Sequence, residues 1–212
     1  MKMFLALTLL LTAAPFALAR SACLIVVGHP GEEDYKVRFQ GWAQQIESAL
    51  TASPEKPLVK TLGAASGGAT MAELEAGINE AARTAGADDI FMLILIGHGT
   101  FDGSDYKFNL KGPDIRSAQL AVMLDRIPST RQLVVNTTAA SGGAMPALVK
   151  PHRVVIAATR TGTQKNATVF ARYFADAFSD ASADTDKNET ITALEAYTYA
   201  VRRTKEYYDQ EK

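Results

Sequence analysis

The seven residues Ile90–Ile96, IFMLILI, carry no polar side chain. An amphipathic helix would break such a run at a period of 3.6 residues and a half-wet strand at a period of 2, so this stretch expects cover on both faces. CLIVV at Cys23–Val27 and RVVIAA at Arg153–Ala158 repeat the pattern. Strands covered on both faces belong to parallel sheets, whose neighbours are joined by crossover segments, usually helices. Strands are therefore expected at Cys23–Val27, Leu58–Leu62, Ile90–Ile96, Gln132–Asn136 and Arg153–Ala158. Segments of helical period fall at about Asp34–Leu50, Met71–Arg83, Ser117–Arg126, Asn166–Asp180 and Thr192–Tyr208. The expected class is α/β, a three-layer arrangement with a mostly parallel central sheet and helices on both faces.

Some boundaries have a chemical cause. Thr70 and Glu73 have the spacing of a capping box, and Asp102-Gly103 lies inside an expected hairpin followed by alternating Tyr106 and Phe108. No repeat or linker divides the chain, so residues 20–212 are expected to form one domain. Residues 1–19 read as a secretory signal, with basic Lys2, an apolar run and the small-x-small pattern Ala17-Leu18-Ala19. That implies an exported protein, periplasmic or secreted, with no membrane insertion after signal removal. One cysteine, Cys23, allows no intramolecular disulfide.

The formal net charge of -1 leaves no basic footprint for nucleic acid. An organic cofactor is not expected either. GAASGGAT lacks the Lys-Ser/Thr ending of a phosphate loop, and GHPGEED adds Glu32 and Glu33 where phosphate would be repelled.

In a parallel α/β sheet the ligand site lies beyond the carboxyl ends of the strands. The loops there are GHPGEED, GHGTFDG, NTTAASGG and TRTGTQKN, and they are expected to share one rim. His98 ends the most apolar strand between two glycines; read from the residues alone, it is either a general base or a structural histidine. Thr137, Thr138 and Ser141 are either reactive hydroxyls or turn residues that satisfy local amides.

A strand ending in LIGHG, an inserted hairpin, one helix and then VVNTTAASGG resembles the caspase and legumain-like cysteine peptidases, legumain-type branch, from the first strand to about Phe174. The resemblance implies the caspase-haemoglobinase fold. It places a general base at His98, an oxyanion amide at Gly99 and the nucleophile at Ala139, and it makes the loop with Arg160 and Thr161 the substrate-binding segment. A methyl group cannot attack a carbonyl. The expected function is thus a pseudo-peptidase that binds a peptide or protein ligand. The alternatives are an active peptidase using His98 with Thr138 or Ser141, and a calcium-stabilised interaction module.

That last alternative comes from DTDKNETITALE, Asp184–Glu195, which has the spacing of an EF-hand loop. Its ligands would be Asp184, Asp186, Asn188, the Thr190 carbonyl and Glu195, holding Ca2+ in a helix-loop-helix over about 168–208. Glu189 stands where such loops usually have glycine. The competing reading makes Thr192-x-x-Glu195 a capping box beside a solvated acidic loop.

Overall fold

The structure is a computed structural model, and it describes residues 20–211. The expected signal at 1–19 lies outside the described residues.

The main sheet contains β1 (Ser21–Val27), β2 (Leu58–Leu62), β3 (Ile90–Ile96), β7 (Arg131–Asn136) and β8 (Arg153–Ala157), all parallel and ordered β2-β1-β3-β7-β8. A small antiparallel sheet follows β3: β4 (Gly99–Phe101), β5 (Tyr106–Phe108) and β6 (Ile115–Arg116). The first two are the expected hairpin. The third strand was not legible, because two residues carry no period.

Among the described residues there are six α-helices: α1 (Glu33–Ala52), α2 (Met71–Thr84), α3 (Ser117–Leu124), α4 (Met145–Leu148), α5 (Phe170–Asp176) and α6 (Ala193–Gln210). Side chains alternate across β1, so Leu24 and Val26 join the core under α2 and α3 while Cys23, Ile25 and Val27 join the core under α1, α5 and α6. The result is three layers. Both expected caps form: Thr70 and Glu73 close the start of α2 reciprocally, as do Thr192 and Glu195 at α6.

Two expectations need correction. The helix expected over Asn166–Asp180 begins at Phe170, whose N–H donates to Thr168 Oγ1 (3.0 Å), and ends at Asp176, after which Phe178 N–H and Ser179 N–H bond three residues back in tighter turns. The run RVVIAA is not covered on both faces. β8 is a sheet edge, and Val154 is 64% exposed.

No helix of the described residues is long and apolar enough to cross a membrane. The strand order reverses between β1 and β3, so the loops carrying His29 and His98 stand at the point where helices leave the sheet in opposite directions.

Candidate functional site

Each loop of the rim is held by named bonds. Gly28 N–H donates to Ile96 O (2.8 Å) and His29 N–H to Asn109 O (2.9 Å), which ties the loop after β1 to β3 and to the residue after β5. His98 leaves β3 half-buried. Its Nε2 lies 3.0 Å from Pro30 O. A carbonyl can only accept, so this contact sets the proton on Nε2 and leaves the Nδ1 lone pair as the basic site of the neutral ring. The ring stands edge-on to Tyr35 (4.6 Å between centroids) and Phe39 (5.2 Å), both from α1. Tyr35 and Pro30 thus build the histidine's seat, and neither was singled out from the sequence. A small cleft of about 270 Å³ opens here between His98, Tyr35, Glu32, His29 and Asn109.

Gly99 brings the histidine loop onto the turn after β7. A Cβ at this position would lie 2.4 Å from Thr138 Oγ1, 2.5 Å from Ala139 O and 2.6 Å from Tyr106 Cε2, closer than any side chain permits. Asn109 N–H donates to His98 O (3.1 Å), so His98 and Asn109 form a bonded pair, and Gly99 with Phe108 is the next, non-bonded one. By that alternation the Gly99 amide points away from β5. It is the amide that the family resemblance assigns to an oxyanion.

The turn itself is a strand–turn–helix. Thr137 Oγ1 donates to Leu95 O (2.8 Å), and Ala139, only 6% exposed, is followed by Ala140 in the left-handed region (φ 55). A residue with a Cβ adopts this region at a cost of about 1 kcal/mol, a cost met here by the surrounding bonds. Ala140 N–H donates to Gln164 O (2.8 Å), and a short 3-10 turn, Ser141–Ala144, then runs into α4.

The two alternative nucleophiles are buried, as Ala139 is, and their hydroxyls are hydrogen-bonded within the turn. Thr138 is fully buried, its Oγ1 lying 2.7 Å from Tyr106 Oη and 2.9 Å from both Asn136 Oδ1 and Ala139 O. Burial pushes the Tyr106 hydroxyl up to about 12, so it stays protonated and available to this network. Ser141, 1% exposed, accepts from Thr159 N–H (3.1 Å). Both hydroxyls serve the turn. Two amide atoms nearby, Asn136 Nδ2 and Asn109 Oδ1, are buried and have no partner among the described residues.

Arg160 and Thr161 are exposed, but their backbone is held hard against the turn. Gly142 N–H donates to Thr159 Oγ1 (3.0 Å), Gln164 Oε1 accepts from Arg160 N–H (2.7 Å), and a Cβ on Gly142 would meet the Arg160 and Thr161 backbone at 2.5 Å. All four loops therefore meet, as their positions after parallel strands require.

No protein-family model matches the chain, and no curated protein is similar to it. Among solved structures it is similar to a protein from Geobacter sulfurreducens, at 18% identity and a TM-score of 0.46, over 64% of this chain and 58% of that one.

The acidic loop lies away from this rim, between α5 and α6. One oxygen from each of Asp184, Asp186 and Glu195 lies within 4.8 Å of the others. Asn188 N–H donates to Asp184 Oδ1 (3.1 Å), Glu189 N–H to Asp184 Oδ2 (2.8 Å), and Thr190 N–H to Asn188 Oδ1 (2.8 Å). Glu189 takes φ 63, so the sharp turn forms without the usual glycine. Glu195 accepts from the N–H and hydroxyl of both Thr185 and Thr192. The Thr192 and Thr185 bonds hold its carboxyl down at about 2.

Proposed function

We propose that this chain is a caspase- and legumain-like pseudo-peptidase, one that binds an extended peptide or protein segment at the His98–Ala139 rim without cleaving it. The observation that carries the reading is the seating of His98, its Nε2 bonded to Pro30 O, on a loop whose glycine is packed directly onto Ala139. A base, an amide turned out of its ladder and a strand-end turn stand together, and the residue in the reactive position is a methyl. The same proposal includes export, which rests on the apolar leader. The hydrolase alternative needs a hydroxyl presented at the rim, and those of Thr138 and Ser141 are buried and committed to neighbours.

The test is a fluorescent peptide library titrated against the chain from Arg20 onward, with products followed by chromatography. Saturable binding without new fragments is expected, weakened about tenfold, or about 1.4 kcal/mol, in His98→Ala. Hydrolysis by the native chain would overturn the proposal, as would binding indifferent to His98.

A second reading concerns the loop at 184–195, where clustered oxygens and the left-handed Glu189 favour a bound calcium ion. Asp184, Asp186, Asn188, the Thr190 carbonyl and Glu195 would hold it. Because Glu195 already caps α6, the ion competes with existing bonds and its gain is modest. At ten times the dissociation constant a ligand stabilises by about 1.4 kcal/mol, which for a chain of this size raises Tm by about 3–6 °C over chelator. Asp184→Ala should abolish the difference; an identical Tm with calcium and chelator in the native chain removes this reading.

A further inference from the structure

The far edge of the main sheet is open. Gln132 N–H donates to His152 O and Ala158 N–H to Asn136 O, both at 3.0 Å. In a parallel ladder alternate residues bond to the same neighbour, so the even-numbered residues of β8 face β7. The N–H and C=O groups of Val155 and Ala157 consequently face outward from the edge, a row of four backbone groups able to pair with another strand.

Beside that edge runs the second face of α6. Ala196, Tyr199 and Ala200 are buried inward, whereas Leu194, Tyr197, Val201 and Tyr208, spaced three, four and seven apart, are 71, 38, 43 and 43% exposed. With the exposed Val154 they wall a groove of about 1860 Å³ floored by Phe170. Within this stripe Thr204 Oγ1 is buried and has no partner among the described residues. A contiguous apolar face alongside unpaired strand backbone is the pattern of strand addition, in which main-chain bonds hold the guest and alternate side chains fill the groove.

Charge selects the guest. Arg160, Lys165 and Lys205 stand on the rim of the groove against one carboxylate, Asp209. Two copies of the chain meeting about a two-fold axis would set this cationic rim against itself, whereas an acidic segment would be drawn to it. We propose that the β8 edge and the outer face of α6 dock an extended, acidic segment of a partner protein as a sixth strand of the main sheet. This site shares the loop of Arg160 with the His98–Ala139 rim, but its floor and its open strand edge lie apart from His98.

The test selects short random peptides displayed on phage against the chain from Arg20 onward and measures the enriched peptides by fluorescence anisotropy. Peptides that alternate apolar with polar residues and carry Asp or Glu are expected. Val155→Pro removes an outward N–H that β7 does not use, and Val154→Asp places a like charge beside the guest at an exposed position. Each should weaken binding about tenfold, while His98→Ala leaves these peptides bound. Circular-dichroism melting checks the fold, and Val154→Asp decides alone if the proline variant does not fold. No enriched peptide, peptides without acidic residues, or peptides indifferent to both edge variants would overturn the proposal. So would a dimer, seen by light scattering, that Val154→Asp dissociates.

Discussion

Ala139→Cys is expected to turn an inert turn into one with a reactive thiol. The neutral His98 ring carries its proton on Nε2, bonded to Pro30 O, so Nδ1 is the atom left to take a proton from a neighbouring thiol. Gly99 holds the histidine loop within van der Waals contact of the Ala139 backbone, and the left-handed Ala140 sends the chain sharply into the next turn. A cysteine beside an accepting histidine loses its proton well below the ordinary value of about 8.5, and the thiolate is the species that reacts. The chain contains its own control: Cys23 is 2% exposed, and burial pushes its thiol up to about 12. Iodoacetamide at pH 6.5 should therefore label the new cysteine at least about tenfold faster than Cys23, and the advantage should vanish when His98→Ala is added. Labelling at one slow rate with or without the histidine would show that this turn was never arranged around a nucleophile.

Gly99→Ala is expected to be strongly damaging for so small a substitution. The added methyl would sit 2.4–2.6 Å from Thr138 Oγ1, Ala139 O and Tyr106 Cε2. One of these is backbone, one is a fully buried ring, and the third is fixed by the Asn136–Tyr106 network, so nothing nearby can yield. Overpacking of a tight core costs about 1–3 kcal/mol, and disturbing the buried bonds of Tyr106 to Asn136 and Thr138 puts the loss at the upper end, about 3 kcal/mol. Thermal melting should fall by about 6–12 °C. Gly41→Ala is the contrast, because Gly41 lies inside α1 with nothing within 4 Å of the added carbon. That change should stabilise by up to about 1 kcal/mol. Equal effects at the two positions would mean that the His98 and Ala139 loops are not in the contact described.

Much of this architecture is legible in local pattern. The five main strands lie within two residues of their expected bounds, since apolar runs ended by glycine or a polar turn leave little choice. Thr70-x-x-Glu73 and Thr192-x-x-Glu195 cap their helices through bonds made only within four residues. What local pattern does not contain is order across the sheet. RVVIAA reads like a central strand, yet β8 has a neighbour on one side only, and that one fact exposes Val154 and opens the groove beside α6. The candidate site divides in the same way. His98 and the turn at Ala139 stand at strand ends and can be placed from their own sequence. The ring of Tyr35, the Pro30 carbonyl and the Tyr106–Asn136–Thr138 network reach the site from elements 30 to 68 residues away, and no periodicity records them.

The crossover topology also fixes when the rim can be completed. Every pairing in the main sheet is parallel, so each strand must wait for a long connection to close before it gains a bond, and such contacts form slowly. The rim draws on loops from Gly28 to Gln164, and the last of them is carried by the outermost strand. A nascent or partly folded chain in which β8 has not yet docked would lack Gln164 against Ala140 and would present β7 as its edge. A half-folded chain thus holds the histidine and the turn before residues 159–164 brace the turn through Gln164 and Thr159.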